Sequence, residues 1–365
     1  MLIQINLRLN FIAIVLFLFL GGCRINEDPH PTVNRDETKK TTAATENTNV
    51  IESRLDKVKT RGKLICGVNG RLPGFSLVDE VGNYSGLDVN ICRAVAAAIF
   101  DDPTKVEFRN LDTQERFLAV QSGEVDLLSR NTTWTLSRDT VVGMEFAPTT
   151  FYDGQGLLVT NKSKIQDLKA LDGKSVCVLS GTTNEQNLAE RMGKLGLSYA
   201  PIVFEDTDLL YDAYEQGDCA AATSDRSQLA ARRTLLNKPS DHQILKLVLS
   251  KEPLAPVTVN DDAQWFDVVK WVIYAMIEGE ELGINSQNIA SFTQTKDPEI
   301  RRFLGLEDNL GADMGLSNDF ASRIIKHVGN YGEVYERNLG KPFGLERGLN
   351  ALWTDGGLMY APPFR

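Results

Sequence analysis

Residues 115–139, ERFLAVQSGEVDLLSRNTTWTLSRD, contain the unit from which the fold can be inferred. An amphipathic segment at 114–121 is followed by a short apolar strand at 126–129 and then by a polar loop. The loop places five hydroxyl side chains around Trp134 and has Arg138 close behind. A stretch this polar does not belong in a core. We therefore expect a helix and a strand followed by a loop that binds something.

The same alternation continues through most of the chain. Further strands are expected at 64–68, 106–110, 175–179, 202–205, 220–223 and 244–247, and further amphipathic helices at 185–194, 209–216 and 228–236. Strands that alternate with helices of this length form βαβ units and mostly parallel sheets, which is the α/β class. From Asp262 onward a long helix and further helical stretches follow. A chain of 365 residues exceeds the usual size of one hydrophobic core, so two lobes are expected.

Composition and motifs exclude several classes of function. Apolar residues make up 42% of the chain, as in soluble globular proteins. A net charge of −10 argues against a nucleic-acid partner, because phosphate binding requires clustered Lys and Arg. The chain has no CxxC spacing with a nearby His, and no GxSxG, HExxH or P-loop motif. We therefore expect no metal, no cofactor and no catalytic centre.

The N-terminus has the features of an export signal. Residues 1–22 contain a single Arg8, then the apolar run FIAIVLFLFL, then two glycines before Cys23. A transmembrane anchor is the alternative, but the run is shorter than the ~20 residues that a spanning helix needs. Residues 20–23, LGGC, resemble the bacterial lipobox, which implies that Cys23 carries a lipid and anchors the exported chain to a membrane. Residues 23–50 have too few apolar groups to fold and are expected to form a flexible tether.

Export places the remaining four cysteines in an oxidising compartment. Four cysteines allow three pairings, and the sequence alone does not choose among them. Cys66 lies in a strand and Cys92 in the helix that comes next, while Cys177 and Cys219 occupy neighbouring elements of a second region. We therefore favour disulfides Cys66–Cys92 and Cys177–Cys219.

Three polar loops follow strands, at the position where open α/β sheets bind ligands. They are SRNTTWTLSR, SGTTNEQ and TSDRS. In the second loop, Thr182 and Thr183 open a helix whose first N–H groups are unpaired and favour an anion. In the first, Arg138 offers a planar fork for a carboxylate. In the third, Asp225 can pair an ammonium.

Asn131 and Thr133 can complete the ammonium site. A ligand with a carboxylate and an ammonium a few bonds apart is a free amino acid. Each feature also has a simpler explanation, because Thr183 and Asp225 can be helix N-caps and Arg138 can form a surface ion pair with Asp139. Their joint occurrence after corresponding strands favours a binding site.

The chain resembles the polar amino-acid family of periplasmic solute-binding proteins of ABC transporters, and within it the general L-amino-acid-binding subfamily. The stretches that carry the resemblance include GVNGRLPGFS, GLDVNICRAVAAAIF, ERFLAVQSGEVDLLSRNTTWTLSRD, WFDVVKWVIYAMIEGEELGI and GLERGLNALWTDGGLMYAPPFR. Together the matching stretches cover nearly all of 55–365.

The resemblance implies a type II periplasmic-binding-protein fold with the ligand between two lobes. Lobe 1 would comprise 51–155 and the return segment 251–365 with its helical C-terminal extension, and lobe 2 would comprise 156–250. The two crossing strands would have their hinges near 155–158 and 249–253. The expected partners are a free L-amino acid and the permease and ATPase of the transporter, and the protein is expected to be a monomer. An enzyme of the same fold, such as a dehydratase, or a ligand-sensing receptor subunit is the alternative.

Family roles carry over to matching positions. Arg138 would clamp the α-carboxylate with a backbone N–H from Thr183, and Asp225 would take the α-ammonium with Asn131 and Thr133. Many relatives have an aromatic residue in the first loop, where this chain has Leu72.

A leucine there would loosen shape selection, while Asn69, Arg71 and Arg130 offer polar contacts to a ligand side chain. Broad specificity, tilted toward polar, acidic or amide amino acids, is therefore expected. Trp134 and Asp139 are left without a role.

Overall fold

The structure is a computed structural model, and it describes residues 52–365. The expected signal peptide at 1–22, the lipidated Cys23 and the tether at 23–50 lie outside the described residues. None of the helices in the described range is long and apolar enough to cross a membrane.

Fifteen strands and thirteen α-helices make up the described chain. The strands are β1 Leu64–Val68, β2 Arg71–Leu72, β3 Ser76–Val78, β4 Tyr84–Ser85, β5 Val106–Asn110, β6 Leu127–Leu128, β7 Met144–Phe146, β8 Phe151–Asp153, β9 Gln155–Thr160, β10 Ser175–Leu179, β11 Ala200–Phe204, β12 Ala221–Asp225, β13 His242–Ile244, β14 Glu252–Leu254 and β15 Val257–Val259. The helices are α1 Arg54–Arg61, α2 Leu87–Phe100, α3 Arg116–Ser122, α4 Leu136–Thr140, α5 Thr183–Lys194, α6 Thr207–Gln216, α7 Arg226–Arg233, α8 Ala263–Glu281, α9 Pro298–Phe303, α10 Leu310–Asp313, α11 Phe320–His327, α12 Tyr331–Tyr335 and α13 Lys341–Phe343.

Two five-stranded sheets define two lobes. The sheet of lobe 1 has the order β5-β1-β6-β15-β7, and the sheet of lobe 2 has the order β11-β10-β12-β9-β13. In each sheet three strands run parallel, and the two strands on one side are antiparallel to their neighbours. β15 lies next to β6, so the chain returns to lobe 1 after completing lobe 2. The α/β class and the two-lobed architecture expected from the sequence are confirmed.

Local sequence explains where the elements of lobe 2 begin and end. β10, SVCVL, is an apolar run buried in the sheet centre, as expected for a parallel strand covered on both faces. The chain then turns at Gly181, whose φ of +70° is in the left-handed region that favours glycine. Thr182 caps α5 by accepting a hydrogen bond from the Glu185 N–H (3.3 Å). This turn sets the start of α5 at the end of β10.

Two short crossing strands connect the lobes. β8 and β14 pair antiparallel, with Glu252 opposite Asp153 and Leu254 opposite Phe151. The first hinge is therefore several residues earlier than the expected 155–158, because those residues already belong to β9 and pair with β12 in lobe 2. The second crossing, at 252–254, overlaps the expected 249–253.

The ends of β6, β11 and β12 differ from the expected bounds by one or two residues, and β13 differs most. β13 occupies 242–244 rather than 244–247, because its partner β9 pairs with it only from Leu158 to Thr160. The carbonyls of Leu245 and Leu247 instead accept hydrogen bonds from Arg226 Nη1 (2.5 and 3.1 Å). The apolar run at 244–247 therefore continues as irregular backbone after a short strand.

Each lobe contains one disulfide. Cys66 of β1 is bonded to Cys92 of α2, and Cys177 of β10 is bonded to Cys219, which lies just before β12. Both pairings expected from the sequence are confirmed.

The C-terminal helices extend the core of lobe 1. Trp265 of α8 is fully buried, and its indole N–H donates to the Asp126 carbonyl (2.8 Å). Phe364 is buried near the end of the chain, with its ring 5.2 Å from Trp271 and 5.5 Å from Phe303. The last residues therefore belong to the hydrophobic core of the lobe.

Candidate functional site

The polar loops of both lobes line one cavity. Eight of the ten residues expected to contact the ligand line it: Asn69, Arg130, Asn131, Thr133 and Arg138 from lobe 1, and Thr182, Thr183 and Asp225 from lobe 2. The loops come together because they follow β6, β10 and β12 at the carboxyl ends of parallel strands. The structure therefore unites residues that are far apart in the sequence.

Arg71 and Leu72 are the exceptions. Leu72 is only 2% exposed and packs in the hydrophobic core of lobe 1, away from the cavity lining. The short hairpin of β2 and β3 explains this position, because successive side chains of a strand point to opposite faces. Arg71 is on the exposed face, so Leu72 points inward. The expectation that Leu72 contacts the ligand is wrong.

The lobe 1 loop holds its polar groups in fixed positions. Asn131 has a left-handed backbone (φ 38°), and its N–H donates to Asp88 Oδ2 of α2 (2.9 Å). Burial raises the pKa of Asp88 to about 7. Thr135 caps α4 by accepting from the Arg138 N–H (3.3 Å). Arg138 Nη1 donates to the Thr133 carbonyl (2.9 Å), which fixes one side of the guanidinium fork.

In the lobe 2 half, the N-cap explanation applies to Thr182. Its hydroxyl accepts from the Glu185 N–H and donates to the Leu179 carbonyl (2.7 Å), so the side chain is engaged in the turn. Thr183 is the first residue of α5, and its hydroxyl donates to Glu252 Oε2 (2.7 Å). Thr183 and Asn184 of this first helical turn line the cavity, and the unpaired N–H groups at the start of a helix favour an anion.

Asp225 directly precedes α7, but its side chain does not cap that helix. Its carboxylate accepts from Asn184 Nδ2 (3.0 Å) and from Gln228 Nε2 (2.8 Å). Burial raises the pKa of Asp225 well above its usual range, and the nearby carboxylates of Asp153 and Glu252 raise it further. A cation beside Asp225 would remove this cost, because an opposite charge favours the ionised form.

Three arginines reach the same cavity from lobe 1: Arg116, Arg130 and Arg138. All three have a pKa below the usual range, chiefly because of burial, and that of Arg130 falls to about 10. Repulsion between the three cations lowers the pKa of Arg116 further. Two buried guanidinium groups and the half-buried one of Arg138 together form a strong anion site.

Arg116 was not identified from the sequence. It is the first residue of α3 and lies on the buried face with Ala119 and Val120, three and four positions later. The sequence could have indicated a role for Arg116, because it places a cation at a core-facing position of a helix and buried charges are rare without a partner. Its Nη2 donates to the Gly181 carbonyl of lobe 2 (3.3 Å), and its Nε is buried without a partner in the described chain.

Glu252 was also missed. It lies in the crossing strand β14 and is 1% exposed. Its Oε2 accepts from Thr133 of lobe 1 (2.6 Å) and from Thr183 of lobe 2 (2.7 Å), while Oε1 accepts from Asn187 (2.8 Å). One carboxylate at the hinge therefore connects both walls of the cavity.

Contacts across the cleft show that the lobes are closed. Thr113 Oγ1 donates to the Ser180 carbonyl (2.9 Å), and Gln114 Nε2 donates to the Ser180 hydroxyl (2.9 Å). Arg71 of lobe 1 forms an ion pair with Asp206 of lobe 2. The cavity thus lies between two lobes that contact each other on its outer side.

Trp134 and Asp139 contact each other rather than the cavity lining. The indole N–H of Trp134 donates to Asp139 Oδ2 (2.6 Å), and the ring stacks on Phe146 with the centroids 6.0 Å apart. Asp139 is therefore a partner of Trp134, and no ion pair with Arg138 is found in the described chain. Both residues support the loop from outside.

The chain that carries this site matches a known protein family. Residues 64–298 match the family described as bacterial extracellular solute-binding proteins, family 3. The chain belongs to this family. The family resemblance expected from the sequence is therefore confirmed, and the site is that of a solute-binding protein.

Relatives of this solute-binding protein match it over most of its length. It is 48% identical over 315 residues to the general L-amino acid-binding periplasmic protein AapJ of Rhizobium johnstonii, covering 85% of this chain and 92% of that relative. It is 48% identical over 316 residues to the glutamate/glutamine/aspartate/asparagine-binding protein BztA of Rhodobacter capsulatus, covering 86% and 94%.

A solved structure has the same fold. It is described as an ABC transporter / periplasmic binding protein from Brucella ovis with glutathione bound, and it matches with a TM-score of 0.84 and 47% identity over 86% of this chain and 99% of that chain. An ancestral arginine-binding protein bound to arginine matches more distantly, with a TM-score of 0.53 and 25% identity over 61% of this chain and 94% of that chain. Both solved structures are described as having a small ligand bound.

Proposed function

We propose that this solute-binding protein captures free L-amino acids and delivers them to the permease of an ABC transporter. One observation carries the proposal: two groups of opposite charge, the half-buried Arg138 of lobe 1 and the buried Asp225 of lobe 2, line the same closed cavity. A free amino acid carries a carboxylate and an ammonium on one carbon. It can therefore neutralise both groups at once.

In this proposal Arg138 and the first N–H groups of α5 bind the α-carboxylate. Asp225 binds the α-ammonium, and Asn131 and Thr133 supply further acceptors. Thr182 acts by shaping the turn, because its hydroxyl is already engaged as the N-cap of α5. The names of the relatives AapJ and BztA, which include amino acids, support this assignment.

The side-chain end of the ligand would lie near Arg116, Arg130 and Asn69. The two arginines donate hydrogen bonds and carry positive charge, so they favour a carboxylate or an amide oxygen. We therefore propose acidic and amide amino acids as preferred ligands, with a broad range of others accepted. The glutathione bound to the Brucella ovis relative is compatible with the same charge pairing, since its glutamyl residue has a free α-carboxylate and α-ammonium.

Ligand binding would favour closure of the lobes, because Arg138 and Asp225 are on opposite lobes and only the closed state brings both to one ligand. A half-paired buried charge costs about 2–5 kcal/mol, which penalises closure on a molecule that lacks either group. The export signal at 1–22, the lipid on Cys23, the tether at 23–50 and a monomeric state remain part of the proposal.

Calorimetric titration with the common L-amino acids tests the function. We expect glutamate, glutamine, aspartate and asparagine to bind, and the Arg138→Ala protein to fold but to lose at least about 30-fold in affinity, which corresponds to about 2 kcal/mol. Arg233→Ala is a matched control, because Arg233 lies on α7 and does not line the cavity. Unchanged affinity of Arg138→Ala would contradict the proposed clamp.

Lipid labelling of the wild-type chain and of one variant tests the proposed lipid anchor. Labelling with a radioactive fatty acid should mark the wild-type chain and leave a Cys23→Ala chain unlabelled. Equal labelling of both would exclude Cys23 as the lipid attachment site.

A further inference from the structure

A second cavity adjoins the first. Five residues line both cavities: Asn69, Thr113, Arg130, Leu179 and Thr207. They come from both lobes and form the boundary, here called the constriction, between an inner cavity, which contains the clamp of Arg138 and Asp225, and an outer one. The binding cavity is therefore bordered by further space on the side where the ligand side chain would lie.

The outer cavity faces solvent. Asn110, Asp112, Glu115 and Glu205, which line only this cavity, are all exposed. Asn131, Thr133 and Asp225, which line only the inner cavity, are buried or half-buried. A group attached to the ligand side chain could pass the constriction and reach solvent while the lobes stay closed around the clamp.

Arg130 is the polar group at the constriction. It is only 4% exposed, and its Nε donates to the Leu111 carbonyl (2.8 Å). Its two terminal nitrogens make no hydrogen bond or ion pair with any residue of the described chain, and Arg130 is among the residues that line both cavities. A buried guanidinium with free donors requires an acceptor. A carbonyl oxygen at the end of the ligand side chain is placed to supply it.

The clamp selects among ligands that are larger than an amino acid. An ordinary peptide has lost either the α-carboxylate or the α-ammonium of each residue, so no residue of it can satisfy both Arg138 and Asp225. A glutamyl group linked through its side-chain carboxyl keeps both charges. It also presents a carbonyl oxygen at the position of a glutamine amide, together with a substituent that continues outward.

We infer that the protein also binds glutamyl ligands whose side-chain carboxyl is amidated with a neutral substituent, meaning γ-glutamyl amides. Arg130 donates to the γ-carbonyl oxygen, and the substituent extends through the constriction into the outer cavity. The inference rests on the proposed function, because it uses the same clamp for the α-groups.

The charged residues that line the outer cavity determine which test ligand is suitable. Asp112, Glu115, Glu205 and Asp206 line it, against Arg71 and Arg130. Arg71 is already paired with Asp206. The surroundings of the substituent are therefore acidic, and a neutral substituent avoids repulsion there. γ-L-Glutamylethylamide is a neutral probe of this kind, and glutamic acid α-ethylamide is its isomer with the same composition.

Calorimetric titration of the wild-type protein with glutamine and the two isomers tests the inference. We expect the γ-isomer to bind within about tenfold of glutamine, and the α-isomer to bind at least about 100-fold more weakly than glutamine because Arg138 loses its carboxylate. A γ-isomer less than tenfold tighter than the α-isomer would overturn the inference while glutamine binding upholds the proposed function. If glutamine itself does not bind, the proposed function fails and the inference fails with it.

A variant tests the path of the substituent. Glu205 is exposed, lines only the outer cavity and makes no hydrogen bond or ion pair in the described chain, so Glu205→Trp adds bulk without removing a contact. We expect the ratio of the γ-isomer Kd to the glutamine Kd to rise at least about threefold, a change of about 0.6 kcal/mol. Glu124→Trp, on the exposed surface of lobe 1, is the control and should leave the ratio unchanged. An unchanged ratio in Glu205→Trp would place the substituent elsewhere.

Discussion

Replacing Asp225 with asparagine should weaken ligand binding and stabilise the ligand-free protein at the same time. The substitution keeps the size of the side chain and removes its charge. Asn184 can still donate to the remaining oxygen, and Gln228 can turn its amide to accept from the new NH₂ group. The packing of the site is therefore retained, and the effect isolates the charge.

The loss of ligand affinity and the gain in stability have different causes. Loss of a buried charge pair with the ligand ammonium costs about 2–5 kcal/mol, or about 30-fold to several thousandfold in Kd. In the ligand-free protein, burial and the carboxylates of Asp153 and Glu252 raise the pKa of Asp225 well above its unfolded value. Each unit of such a shift represents about 1.4 kcal/mol of lost stability at neutral pH, so a gain on the order of 1 kcal/mol or more is expected.

The sign of the pH dependence distinguishes this explanation from a general change in packing. Because the folded pKa is raised, wild-type stability falls as the pH rises from the unfolded pKa toward the folded one. The stability gain of Asp225→Asn should therefore grow as the pH rises from the unfolded pKa toward the folded one, and it should disappear below about pH 4, where the aspartate is protonated in both states.

Urea unfolding at several pH values and calorimetric titration with glutamine measure both effects. Asp212→Asn is the control, because Asp212 is an exposed residue of α6 outside the cavity. Affinity of Asp225→Asn within about threefold of wild type would refute the ammonium role. Lower stability at neutral pH would refute the argument from charge burial.

Four further outcomes are expected. Arg116→Met should weaken glutamate binding at least about tenfold, measured by calorimetry, because it removes one of three cations that face the ligand. Glu252→Gln should speed ligand dissociation in stopped-flow experiments about tenfold, because it weakens the charged hydrogen bonds that hold both lobes; an unchanged rate would exclude a role in closure. Replacing Cys177 and Cys219 by serine should lower the urea-derived free energy of unfolding by about 3–4 kcal/mol for a separation of 42 residues. Glutamine affinity should fall as the pH falls through the raised pKa of Asp225, by up to about tenfold per pH unit, since the ammonium requires the ionised carboxylate; a flat profile would contradict this.

The sequence predicted the elements whose signals are local. The strands at 64–68 and 175–179 have the expected bounds because each is a short, mostly apolar run bordered by polar residues. The strand at 106–110 has the expected bounds because apolar and polar residues alternate at its start. The disulfide pairing could be predicted because each pair lies in neighbouring elements. The strand expected at 244–247 was shortened by a long-range interaction, the bonding of its carbonyls to Arg226, which no local pattern reveals.

The candidate site was predictable where a charged or polar residue follows a strand, as for Arg138 and Asp225. It was not predictable where a role depends on burial by another lobe. Arg116 resembles an ordinary residue of an amphipathic helix until lobe 2 covers it, and Glu252 resembles an ordinary surface acid until both lobes donate to it. The error at Leu72 arose because a two-residue strand decides which of two neighbouring side chains points inward.

The position of β15 between β6 and β7 has a consequence for how the chain matures. Lobe 2 is continuous in sequence and can acquire its sheet as soon as β13 has emerged during export. Lobe 1 remains without an inner strand until β15 arrives, and its core remains incomplete until Phe364 packs against Trp271 and Phe303. Its β6 edge would stay exposed in the meantime and could pair with another chain. Lobe 1 is therefore the last lobe to cover its strand edge and to complete its core, and it is exposed to aggregation for longer than lobe 2.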